Sequence, residues 1–210
     1  GSDPDSNPRL RAAVMAARVA NMPKDNIERA IKKGSGETDA GGYEEIRYEG
    51  FGPGGVALIV EALSDNRNRT ASEIRTAFSK NGGSLAETGA VSFMFERVGE
   101  IRYAASAASD EAMFEAALEA GAEDVQSSAD GHEIVCAPAN LHAVAAALVK
   151  GFGDPGSTKL VWKPRSTVPV GEDDAQTLFN LFNALDDNDD VQSVSANYEI
   201  AEETMERLTA

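Results

Sequence analysis

The chain has 210 residues, 42% of them hydrophobic, and 19 Lys and Arg stand against 35 Asp and Glu for a net charge of −16. That length suits one large domain or two to three small ones, and with no apolar run approaching ~20 residues and no charged-then-apolar leader, neither a membrane span nor a signal peptide is expected. A single cysteine, Cys136, excludes an internal disulfide and fits a reducing, cytoplasmic compartment; with only His132 and His142 beside it, a Cys/His metal cage is out of reach.

Gly1-Ser2 reads as the scar of a cut expression tag, which places the natural N-terminus upstream. Asn7-Pro8 then opens a helix that runs to about Val19, with Asn7 as N-cap and Pro8 at the first helical position, where its missing N–H costs nothing. Pro23 opens a second helix, which reaches about Lys33 and stops at Gly34. Its apolar stripe is Ile27, Ala30 and Ile31, and Lys32 and Lys33 lie in the last turn, where cations suit the helix dipole. Two short helices enclose little core, so the pair is expected to belong to a bundle completed upstream or to lie against the rest of the molecule. Residues 8–36 carry seven basic and two acidic side chains, whereas residues 166–210 carry one and eleven. The expected picture is a cationic module attached to an acidic body. Ser35 to Gly42 reads as a polar, Gly-rich linker and hinge.

From residue 43 the periodicity changes to that of strands. Ile46–Glu49 and Val56–Leu63 are expected to pair across Gly50-Phe51-Gly52-Pro53-Gly54-Gly55, a turn whose four glycines supply positive φ. Thr70-Ala71-Ser72-Glu73 reads as a capping box, so Ser64–Thr70 is a strand-to-helix loop. The following helix has Ile74, Ala77 and Phe78 as its stripe and Gly82-Gly83 as its stop. A short strand near Ser84–Ala86 and another over Ala90–Glu96 complete that block. The pattern over 100–165 is β-α-β-β-α-β: Glu100–Tyr103, Asp110–Ala120, Val125–Ser128, His132–Cys136, Ala139–Lys150 and Lys159–Lys163. This is split βαβ order. A helix over Asp173–Leu185 and a strand over Val191–Tyr198 follow. They supply the α-β pair that the earlier block lacks.

The predicted fold class is therefore α+β. Residues 1–40 hold an incomplete helical domain and its linker. Residues 41–97 plus 168–210 form a discontinuous α/β domain, into which a second domain of the same split βαβ (ferredoxin-like) type, residues 98–167, is inserted. The chain beyond Glu202 is expected to be a frayed helix.

No catalytic or metal site is expected. Asp186-Asp187-Asn188-Asp189-Asp190 fails the EF-hand template, since the obligatory glycine position falls on Val191 and the twelfth on Asn197; it reads as a solvated turn. His132 and His142 lie on different elements with no serine or thiol motif beside them, and Cys136 reads as a buried small hydrophobe. Gly50–Gly55 lacks the Lys-Ser/Thr of a P-loop, so no nucleotide cofactor is expected. What remains is cationic. Arg9, Arg11, Arg18, Lys24, Arg29, Lys32 and Lys33 populate the two N-terminal helices. Arg11 and Arg18 are seven apart, and Arg29, Lys32 and Lys33 stand at i, i+3, i+4, so each group can face a phosphate backbone or form an ordinary solvated face. The loop Ser64-Asp65-Asn66-Arg67-Asn68-Arg69-Thr70 adds Asn66, Arg67, Asn68 and Arg69, whose guanidinium and amide groups suit phosphates and base edges, with a helix N-terminus behind them. A capped turn would explain Thr70 and Asp65 but would leave both arginines unemployed.

NPRLRAAVMAARVANMPKDNIERAIKKG at 7–34, YEGFGPGG and LSDNRNRTASEIRTAFSKNGG within 48–95, EAALEAGAED at 115–124 and ALDDNDDVQSV at 184–194 closely resemble the YebC/PmpR family. The resemblance covers nearly the whole chain. It implies a three-domain YebC-like fold, a helical N-terminal domain followed by two α/β domains, and a transcriptional regulatory protein that binds promoter DNA. The family also includes the mitochondrial translational activator of cytochrome oxidase, which implies ribosome or RNA contact as the alternative and a mitochondrial matrix location for a eukaryotic source. Members begin with a strongly basic segment and a further helix, neither of which this chain shows. A protein-interaction module working through the acidic C-terminal part, without nucleic-acid contact, is the remaining reading.

Overall fold

The computed structural model describes residues 2–35, 42–201, 203, 204 and 207; most of the expected hinge and of the tail beyond Glu202 lies outside these residues. The chain divides into two compact units, one of residues 1–40 with 97–161 and the other of 41–96 with 162–210.

In the first unit, α1 (Pro8–Val19) and α2 (Lys24–Gly34) form a short helical pair joined through Asn21, which takes φ 57°. The Asn7 side chain caps α1 by accepting the Leu10 N–H at 3.1 Å. Only Val14 and Ile27 are buried in this pair. An open groove of about 750 Å³ remains between the helices, lined by Leu10, Val14, Ile27 and Ile31 among others. The rest of the unit is a four-stranded sheet under two helices. Its elements are β4 (Phe95–Tyr103), α4 (Asp110–Glu119), β5 (Asp124–Ser128), β6 (Gly131–Cys136), α5 (Leu141–Phe152) and β7 (Ser157–Pro164). The strand order β5-β6-β4-β7 is that of a split βαβ fold. Ile101, Ile134, Met113, Val144 and Leu148 fill the space between sheet and helices.

The second unit is built on β1 (Glu44–Phe51), β2 (Ala57–Ser64), α3 (Arg67–Lys80), β3 (Ser84–Ala86), β8 (Val168–Pro169), α6 (Glu172–Asp186), β9 (Val191–Ala196) and β10 (Tyr198–Glu199). Its main sheet runs β3-β1-β2-β9, with antiparallel pairing throughout. The centre is a hairpin, so this strand order differs from that of the first unit. β2 is apolar almost without a break because both faces are covered. Val56, Leu58 and Val60 meet Ile74, Phe78, Leu178 and Leu181 of α3 and α6, while Ala57 and Ile59 meet Val91 and Phe95 on the other side.

Four local expectations are corrected. Helix α3 begins four residues early, at Arg67 with Asn66 rather than Thr70 as N-cap, so Arg67, Asn68 and Arg69 form its first turn rather than a loop. Residues 90–94 are a loop with a 3₁₀ turn, and the strand starts at Phe95. That loop is held from inside: the buried Glu49 carboxylate accepts the N–H groups of Val91 and Ser92 at 2.9 and 3.0 Å. In the β1–β2 turn only Gly54 and Gly55 take positive φ. Gly50 is needed for closeness instead, since a Cβ there would lie 2.6 Å from the Ser84 carbonyl and 2.7 Å from the Phe78 ring. Asp190, expected in a solvated turn, is largely shielded, with 12% of its side chain exposed.

Candidate nucleic-acid interface

The helical pair presents its cations outward. Arg9, Arg11, Arg18, Lys24, Arg29, Lys32 and Lys33 are all exposed. Their local engagements differ. Arg11 donates through Nε to the Pro4 carbonyl at 3.1 Å and through Nη2 to that of Asp5, which folds the preceding segment back onto α1. Carbonyls leave its charge uncompensated. Arg29 donates to Asn26 Oδ1 at 3.1 Å. Lys24 lies 3.7 Å from Glu28, an exposed i,i+4 pair of the kind that contributes little. Arg9 and Lys33 have further partners of their own. Arg18 and Lys32 make no hydrogen bond or ion pair among the described residues. Lys32 and Lys33 sit in the last turn of α2 and Arg18 in that of α1, where the helix dipoles favour positive charge.

The second group lies in the other unit, at the start of α3. Asn66 is the cap: its Oδ1 accepts the Arg69 N–H at 3.1 Å. Asp190, 120 residues away in sequence, reaches this turn from the start of β9. Its Oδ2 accepts from Thr70 Oγ1 at 2.6 Å, from Ser64 Oγ at 2.9 Å and from Arg69 Nη2 at 2.8 Å. The same Arg69 nitrogen reaches Asp65 Oδ1 at 3.1 Å. Burial pushes the Asp190 carboxyl up, but the hydrogen bonds from Thr70, Arg69 and Ser64 and the Arg69 charge outweigh it and hold the group below the usual carboxylate range. The hydrogen bond to Asp190 in turn pushes the Arg69 guanidinium up. Arg69 is thus held by two carboxylates, Asp65 and Asp190, with 45% of its side chain exposed.

Arg67 and Asn68 remain exposed beside this clamp, and the Arg67 side chain makes no hydrogen bond or ion pair among the described residues. The Tyr48 hydroxyl of β1 is shielded from solvent with no hydrogen-bond partner among the described residues. Burial pushes the Tyr48 phenol up, opposed by the charges of Arg67 and Arg75 and reinforced by that of Asp190. The geometry of α3 therefore divides the arginine pair of the sequence by role. Arg69 locks the first turn to β9, and Arg67 is available to an outside anion.

Residues 43–198 match the family model for the TACO1/YebC second and third domain, and residues 1–37 match that for the TACO1/YebC N-terminal domain. The chain belongs to the TACO1/YebC family. The solved structures agree: a conserved hypothetical protein of Aquifex aeolicus, Aq1575, is 49% identical to this chain with a TM-score of 0.89. That likeness covers 96% of this chain and 84% of the Aquifex one. In this TACO1/YebC chain the N-terminal-domain match takes in the cationic pair α1–α2, and the second match takes in both sheets together with the Asp190 clamp. Sequence reasoning missed Asp190, Ser64 and Tyr48. Arg75 became legible as sharing a helix with Arg67 only once α3 was known to start at residue 67 rather than 71. No helix among the described residues is long and apolar enough to cross a membrane.

Proposed function

We propose that the protein is a DNA-binding transcriptional regulatory protein that attaches to the phosphate backbone through exposed cations and carries out no catalytic step. The observation that carries this reading is the excess of seven basic over two acidic residues in 8–36, with all seven basic side chains exposed on α1 and α2. Arg67 adds a cation from the other unit. Such contacts fix position rather than sequence, so binding should be dominated by counterion release and depend steeply on salt. The test is fluorescence anisotropy of a labelled DNA duplex against the full chain over a salt series. Replacing Arg18 and Lys32 by Gln should lower the slope of log affinity against log salt by roughly one per residue. A slope of zero for the unmodified chain would remove the reading.

The acidic remainder favours a second reading, translational activation through RNA on the ribosome. Residues 41–210 carry twelve basic and 29 acidic side chains, which disfavours tracking along bare duplex and suits a recessed site where only the cationic face meets phosphate. Co-sedimentation with ribosomal subunits, compared with retention on promoter-length DNA at equal salt, decides between the two.

A further inference from the structure

Of the two arginines that the sequence places side by side at the start of α3, one is already spent, and the helix supplies a different partner for the other. Arg67 and Arg75 stand eight residues apart, at i and i+8 with Ala71 between them, so they follow one flank of α3 about 12 Å apart along its axis. Both are exposed, and neither makes a hydrogen bond or ion pair among the described residues. The carboxylate that reaches the start of α3 is committed elsewhere: Asp190 is occupied by Thr70, Ser64 and Arg69. The charges of Arg67 and Arg75 both oppose the burial that pushes up the phenol of Tyr48, whose hydroxyl has no hydrogen-bond partner among the described residues. Two uncompensated planar forks on one helix flank, with only a small side chain between them, suit two successive oxyanions of one chain.

We propose that Arg67 and Arg75 form a two-point phosphodiester site on α3, with Arg69 and Asp190 as positioning residues that hold the helix start and do not touch the ligand. This rests on the nucleic-acid reading above and names the residues through which the α/β body takes part. DNA and RNA share the chemistry that the pair recognises.

The test uses the full chain with a labelled DNA duplex and an RNA duplex of equal length and several base sequences, over a salt series, alongside thermal melting of each variant. Arg67→Gln and Arg75→Gln should each lower the salt slope by about one unit, to the same extent on every base sequence, with the melting midpoint unchanged. Arg69→Gln should do the reverse, lowering the midpoint and leaving the slope intact. Loss on both probes, or on one, supports the pair and identifies which backbone it meets. If the unmodified chain binds with a salt slope that Arg75→Gln leaves untouched, or if the loss varies with base sequence, the site is overturned while the nucleic-acid reading stands. If the unmodified chain binds neither probe in a salt-dependent way, the reading falls and takes the site with it.

Discussion

Asp190 shows how one carboxylate decides what its neighbours can do. Shielded from water, it is stable as an anion only because two hydroxyls and a guanidinium point at it, and those donors are thereby withdrawn from other work. Asp190→Asn keeps the shape but removes the charge and leaves part of the donor set unsatisfied. It should destabilise the chain by about 1–3 kcal/mol at neutral pH, read by chemical denaturation. The pH dependence follows from the direction of the shift. Because the folded carboxyl titrates below its unfolded value of ~3.9, its contribution is complete above that value and is lost as pH falls through the lower folded one. The gap between wild type and Asp190→Asn should therefore be constant above about pH 5 and close in stronger acid. A gap that stays level through this window would mean that Asp190 is not held ionised by its partners.

At the scale of elements, what was legible in the sequence was what local pattern decides. The 3–4 spacing of Leu178, Leu181 and Leu185 marks α6, Asn7-Pro8 marks the start of α1, and the apolar run of β2 marks a strand covered on both faces. The errors fall where a distant group chooses between two acceptable local answers. Asn66 and Thr70 can each cap a helix, and the Thr70 hydroxyl is drawn to Asp190 instead. Residues 90–94 have strand composition, yet Glu49, 42 residues earlier in sequence at Val91, captures their N–H groups and curls them into a turn. The same logic gives Gly50 its role. Phe78 is fully buried and its ring lies where the Cβ of any other residue at 50 would stand, with the Ser84 carbonyl on the same spot. Backbone cannot yield as a flexible side chain does, so β3 would have to leave β1. Gly50→Ala should cost about 1–3 kcal/mol and raise amide exchange at Leu85, which pairs opposite Gly50. Unchanged exchange at Leu85 would show that the β1–β3 edge absorbs the methyl group without parting.

For the whole molecule, the candidate site was legible as a charge asymmetry, while the partition of the α3 arginines required knowing where Asp190 lies. That asymmetry makes a kinetic prediction of its own. A chain of net charge −16 would approach a polyanion against long-range repulsion, although the residues proposed to touch it are cationic. The two effects have different ranges. At ~0.01 M salt the screening length is about 30 Å, so an approaching phosphate chain feels the acidic remainder along with the cationic helices; near 0.15 M it is about 8 Å and close contacts dominate. Added salt should therefore first raise the association rate by screening the acidic remainder and then lower it by screening the cations. Dissociation should speed up throughout. Stopped-flow binding of a labelled duplex across this range should show a maximum in the association rate rather than the monotonic fall of a uniformly basic protein. A monotonic fall would mean that the approaching nucleic acid never senses the acidic body, and the second reading, a recessed ribosomal site, would lose its electrostatic basis.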